Sequence, residues 1–256
     1  MNGLFGFKQH YILLKVLPWT VLFCLLKWVI HERGWEFWAF DSLTGALFGS
    51  ATFVLALVLG GTLGDYRLSE DMPTQLVNAI ETIEDSNQMT AAGHADYDPL
   101  PLQKGLVQVV QAILTWLQQG GDSAQIQEEL NALNVLFVPL GQKGGTVNRC
   151  QDEQGRIRLL VSQIQGNRDT DFLGSAYILL FVFLIGSVIA LLLIGADRFS
   201  ENLTVSGFLF TSFVYLVILI RDLDNPFQYD GRSSIDVDLT ALVNVMTKLK
   251  KKVEKV

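Results

Sequence analysis

The side chains able to do covalent or metal chemistry are few and scattered in this 256-residue chain. His10, His31 and His94 lie far apart, and neither H-E-x-x-H nor C-x-x-C occurs to hold a metal. No G-x-S-x-G turn presents a nucleophile. The segment G-Q-K-G-G-T (141–146) has the glycines and lysine of a phosphate loop in the wrong order, and reads as a connection between helices. Asp222-x-Asp224 and Asp236-x-Asp238 have the oxygen ligands for a cation, but short acidic pairs at helix ends are commoner as caps. No enzyme and no cofactor is expected. More telling are three unreactive residues, Phe53, Leu57 and Gly61, spaced four apart. On a helix they drift only ~80° and share a face, and a ring of such side chains forms a hydrophobic constriction able to gate by dewetting. Gly45-x-x-x-Gly49 and Gly60-x-x-x-Gly64 frame them with small residues that let helix backbones approach closely. That closeness serves either packing inside one subunit or the crowding of several copies about an axis.

The elements that must carry these residues are four long apolar stretches, two before and two after a polar middle. Residues 43–63 and 172–194 hold no charge over lengths that match the ~20 helical residues of a bilayer core. Residues 11–30 carry Lys15, Lys27 and Pro18, and the lysines lie near the ends, where long stems snorkel to the interface. Residues 202–220 begin polar and end apolar. A mean hydropathy of +0.32 and half the residues hydrophobic agree with a membrane protein. The first stretch lacks the cleavage pattern of a signal peptide and is expected to be retained. Cys24 and Cys150 are badly placed to pair.

The turn 31–42 contains Arg33 and the turn 196–203 contains Arg198, while the remaining Lys and Arg outside the spans lie in the two ends and the middle. The positive-inside rule therefore places both termini and the middle in the cytoplasm. Residues 65–170 carry 14 Asp or Glu against 7 Lys or Arg, an acidity that excludes nucleic acid as a main partner. Apolar stripes at helical spacing recur there. Leu76, Val77, Ile80 and Ile83 follow Pro73, which suits a helix's first turn. Further stripes run through Leu102–Leu117, Ile126–Leu140 behind a Ser123 cap, and Ile157–Ile164. A last helix is expected from Asp238, with Leu239, Leu242, Val243, Met246, Leu249 and Val253 on one face. The fold class is all-α: four transmembrane helices with a helical cytoplasmic domain. The boundaries are 1–64 for the N-terminal arm and first two spans, 65–170 for the cytoplasmic domain, 171–221 for the last two spans and 222–256 for the C-terminal segment.

The chain resembles the bestrophins, and more closely the bacterial membrane proteins with a bestrophin-like domain. The topology is one point of likeness. F-V-L-A-L-V-L-G-G (53–61) looks like the apolar neck helix, which runs on into a polar segment with an aromatic and an arginine, Tyr66 and Arg67. D-T-D-F-L-G-S-A-Y (169–177) is similar to the start of the third span, and D-L-D-N-P-F (222–227) to the acidic segment after the last. The resemblance implies a homopentameric ion channel in a bacterial inner membrane, with Phe53, Leu57 and Gly61 facing a neck above a wide cytoplasmic vestibule. It marks Asp224, Asn225, Pro226 and Phe227 as the post-span motif. Eukaryotic members bind calcium after that motif. Asp230 matches one ligand position, but the cluster is diluted to Y-D-G-R-S-S-I-D, which argues against calcium. If the acidic middle lines a vestibule, with Asp65 and Glu70 just beyond the neck, its field favours monovalent cations over chloride. The alternative from another class is a non-conducting scaffold that recruits a partner through its acidic helices.

Overall fold

Apolar periodicity with few interior breakers makes most of the described residues helical. The computed structural model of the chain describes residues 11–169, 174–229 and 235–254. They form α1 (Tyr11–Glu32), α2 (Ser42–Gly93), α3 (Leu100–Gln119), α4 (Ala124–Gln142), α5 (Val147–Asp169), α6 (Gly174–Leu193), α7 (Phe199–Asp224) and α8 (Thr240–Val253). Among the described residues no strand forms, and an isolated parallel bridge joins Trp38 to Ile194. The chain divides into two compact units. One holds α1, α2 as far as Tyr66, α6 and α7; the other holds α2 from Arg67 together with α3, α4, α5 and α8.

The first unit turns its apolar side chains outward. Leu13, Leu14, Leu17, Leu22 and Leu25 of α1 are exposed, as are Ile178, Val182 and Ile185 of α6. A water-soluble helix hides such a stripe, whereas a helix solvated by hydrocarbon shows it. Helices α1, α2 and α7 are each long and apolar enough to cross a membrane, and the apolar segment Tyr177–Leu193 of α6 is shorter. Trp35, Phe37, Trp38 and Phe40 are exposed in the turn between α1 and α2, the aromatic chemistry found at membrane–water interfaces. Inside the unit, Phe23 stacks on Phe210 with centroids 4.4 Å apart, and the hydroxyls of Thr20 and Thr211 meet at 2.9 Å. Such contacts hold helices together where lipid removes the hydrophobic drive. Lys27 departs from the snorkelling expectation. It is 0% exposed and pairs with Glu36 in the following turn. A nearby carboxylate relieves the cost of burying the ammonium, so the side chain need not reach for water.

The second unit is a water-type bundle. The stripes of α2, α3, α4 and α5 are buried throughout, with Val77 alone among them left half-buried. Each fully buried Leu, Ile or Phe contributes roughly 1.5–3 kcal/mol. A buried polar knot centres on Glu84. Its carboxylate accepts from Gln88 at 2.9 Å, Gln103 at 3.0 Å, Lys252 at 2.8 Å and Asn87 at 3.2 Å. Tyr97 donates to Asn87 at 2.6 Å, and burial pushes its phenol up to about 12. Lys248 reaches Glu81 at 2.9 Å, so two lysines of the C-terminal run pair with carboxylates of α2.

Three local expectations change. Pro73 does not open a helix; it lies inside the single 52-residue α2. An interior proline costs about 3 kcal/mol, and the burial of Met72, Leu76, Ala79 and Ile80 around it offsets that loss. Ser123 stands at the start of α4 but makes no side-chain cap; its hydroxyl donates to Gln165 at 2.8 Å, while Asp122 accepts from the Ala124 amide at 3.2 Å. In α8 the buried line is Leu242, Val245 and Leu249, with Val243 exposed. Asp238 there acts as a cap, accepting from the Thr240 amide at 2.9 Å and from its hydroxyl at 2.6 Å.

Candidate functional site

Asp41 caps the start of α2: its carboxylate accepts from the Thr44 amide at 2.8 Å while its carbonyl accepts from the Gly45 amide at 3.0 Å. Those bonds from Thr44 hold the Asp41 carboxyl below the usual carboxylate range. Farther along, Thr52 donates to the Phe48 carbonyl at 2.8 Å and Thr62 to the Val58 carbonyl at 3.1 Å, so each hydroxyl proton is committed within the helix. Phe48, Ala51, Leu55 and Thr62 form the face that α2 buries within its unit.

The opposite face carries the constriction candidates. Phe53 is 68% exposed and Leu57 is 65% exposed. Gly61 lies on the same exposed line, and Gly49, Gly60 and Gly64 are exposed beside it. A Cβ added at Gly49, Gly60, Gly61 or Gly64 would have no atom within 4 Å, and one at Gly45 would meet only the Phe40 ring edge at 4.0 Å. Nothing among the described residues therefore requires these positions to be small. Asp65, four residues beyond Gly61, is exposed in the first unit, and Glu70 is exposed in the second. Beside the start of this face lies an apolar notch of about 390 Å³ between Trp38, Leu43, Leu47 and Phe183. Among the described residues no three His, Cys, Asp or Glu side chains are grouped as a metal would need.

No protein-family model matches the chain, and neither does any curated protein. Solved structures do. A bacterial bestrophin homologue from Klebsiella pneumoniae carrying one substitution superposes with a TM-score of 0.69 at 13% identity, covering 94% of this chain and 99% of its own. A second mutant of a bestrophin homologue from that organism gives 0.65 at 14% identity, over 96% and 98%. A structure described as a membrane protein gives 0.68 at 13% identity, over 94% and 98%. The fold is bestrophin-like.

Within this bestrophin-like fold, two of the segments that carried the resemblance meet. The Tyr177 hydroxyl, at the start of α6, donates to Asp224 at the end of α7 at 3.1 Å. Asn225 follows half-buried. In the second unit Pro226 is buried, its carbonyl accepting from the Val237 amide at 3.0 Å, and Phe227 is 0% exposed in the hydrophobic core. Tyr229 adopts a left-handed conformation (φ 45°), and its hydroxyl donates to the Val237 carbonyl at 2.9 Å. Asp230 falls outside the described residues, as do residues 170–173 of the other motif. The bestrophin-like fold and the outward apolar helices together mark a multi-pass membrane protein. Sequence reasoning missed the Lys27–Glu36 pair and the Glu84 knot. A lysine inside an apolar span, followed nine residues later by a glutamate, was the available signal for the first.

Proposed function

We propose that the chain is the subunit of a passive ion channel, a homopentamer in a bacterial inner membrane whose neck is lined by α2. The observation that carries this reading is the exposed α2 face, where glycines whose added Cβ would meet no atom of the described residues flank Phe53 and Leu57. Small residues on a lipid-facing helix have no role in lipid, whereas they let copies of α2 approach one another. Four spans put both termini and residues 65–170 in the cytoplasm, and Phe53, Leu57 and Gly61 line the neck. Asp65 and Glu70 begin an acidic vestibule that leans the pore toward cations. The fold-level likeness to a bestrophin homologue supports the class of protein; the residues above carry the rest of the argument.

The test is salt-driven current through liposomes containing the purified oligomer. Current above that of empty liposomes is expected, and Leu57→Ala raises it several-fold by widening the constriction. Under a sodium chloride gradient the reversal potential lies toward the cation value and moves away from it when Asp65 and Glu70 are both neutralised. Intact oligomers without conductance overturn the channel reading in favour of a scaffold. An unchanged current in Leu57→Ala removes that residue from the neck.

A further inference from the structure

The wholly buried Lys27 is the least expected group in the first unit. An ammonium has three donors and no acceptor, and burying it is costly unless all are used. Three oxygens surround it: the ammonium donates to the Leu192 carbonyl at 3.2 Å and to the Ile194 carbonyl, and it forms an ion pair with Glu36 Oε1 at 2.8 Å. The two carbonyls belong to the end of α6, where a helix leaves its last carbonyls without intrahelical donors and where the macrodipole favours a cation. Neighbouring groups complete the accounting. The Trp38 amide takes the Leu193 carbonyl at 3.1 Å, the Gly195 amide donates to the Trp38 carbonyl at 2.9 Å, and Asn202 of α7 donates to the Ile194 carbonyl at 2.9 Å. His31 Nδ1 holds the second oxygen of Glu36 at 2.7 Å and its ring stacks on Phe199 of α7 at 4.0 Å. A side chain at residue 195 would crowd Glu36, since a Cβ there would stand 3.2 Å from the Glu36 Cβ.

We propose that Lys27 is a positioning residue for α2: its ammonium caps α6 from a different helix and, through Glu36, holds the α1–α2 turn against that cap. Glu36 and Trp38 are tied down in the turn that leads directly into Ser42, the first residue of α2. The turn therefore enters α2 at one height and one rotation relative to α6. A shift at Glu36 has little chain in which to dissipate before it reaches the exposed face that bears Phe53 and Leu57. The consequence for conduction rests on the channel reading; the latch itself does not.

The experiment uses the full chain with Cys24 replaced by Ser, spin labels at Phe37→Cys and Asp197→Cys, and labelled chains diluted with unlabelled ones. Both label positions are exposed, and they report the separation of the two turns. A narrow distance distribution is expected. Lys27→Met broadens it and lowers the unfolding midpoint by roughly 5–15 °C. Lys27→Arg, which keeps a donor fork, restores the narrow distribution. Where Lys27→Met fails to accumulate, Glu36→Gln and the doubly neutral Lys27→Met/Glu36→Gln chain take its place, and both broaden the distribution. A distribution as narrow as the parent's in these variants overturns the proposal. Broadening in a protein that carries no current in liposomes leaves the latch standing and removes the channel reading alone.

Discussion

At Glu36, burial raises the carboxyl's proton affinity, but hydrogen bonds and charge from Lys27 and His31 outweigh it and hold the group below the usual carboxylate range. The sign of the pH dependence follows. A depressed folded-state pKa contributes stability that is present above the ordinary glutamate value of about 4.3 and is lost as pH falls through the lower folded value. The difference in unfolding midpoint between the parent chain and Glu36→Gln is therefore constant from neutral pH down to the ordinary glutamate range and shrinks only in stronger acid. A difference that collapses near pH 6 would show that Glu36 is not held as an anion by its two partners. The same residues mark a limit of sequence reading. A lysine in an apolar run offers two physical outcomes, snorkelling or pairing. Which one wins depends on whether a chain-distant turn places a carboxylate and free carbonyls beside it. Leu192 and Ile194 lie some 165 positions away, and no local pattern announces them.

Among the helices, α2 shows most clearly what periodicity reveals and what it hides. Its C-terminal stripe, Leu76 to Ile83, was legible because a water-solvated bundle buries one face at helical spacing. Its continuity was not legible, since Pro73 reads locally as a helix start and only the packing of Met72 and Leu76 keeps the helix intact through it. In α8 the expected face holds at Leu242 and Leu249, with Leu239 and Met246 packed against the core, but Val243 was taken for a buried position and Val245 was missed, because a short helix with many apolar residues has two nearly equivalent edges. The small-residue face of α2 was visible as spacing, but its outward direction was not. That direction yields a prediction. Replacing an exposed helical glycine such as Gly60 by leucine adds roughly 0.5–1 kcal/mol of helix propensity, and the added Cβ meets no atom of the described residues within 4 Å. Gly49→Leu and Gly60→Leu chains keep full helical circular dichroism and their unfolding midpoint within the subunit, while size-exclusion chromatography in detergent shows the oligomer weakened. An oligomer as stable as the parent's would separate this face from self-association.

For the molecule as a whole, the two units obey opposite solvent rules. The first shows apolar residues outside and keeps hydroxyls and one ammonium inside; the second hides most of its leucines and isoleucines and, Glu84 apart, shows most of its carboxylates. Composition already separated them, since the charge-free stretches and the acidic middle are distinct in the chain. The bestrophin-like fold was legible through short motifs, of which Tyr177 and Asp224 are joined by a hydrogen bond and Phe227 is buried in the core. How copies assemble lies beyond what one chain's pattern encodes, because an interface between identical faces leaves the same spacing as packing within a subunit. The central claim is that several copies of α2 stand around a shared axis with Phe53 and Leu57 toward it. A single-particle image of the purified protein in a lipid disc tests it most directly. Five subunits around an open axis walled by α2 is the predicted result; a lone subunit, or an assembly whose centre is filled by lipid or interlocked side chains, contradicts it.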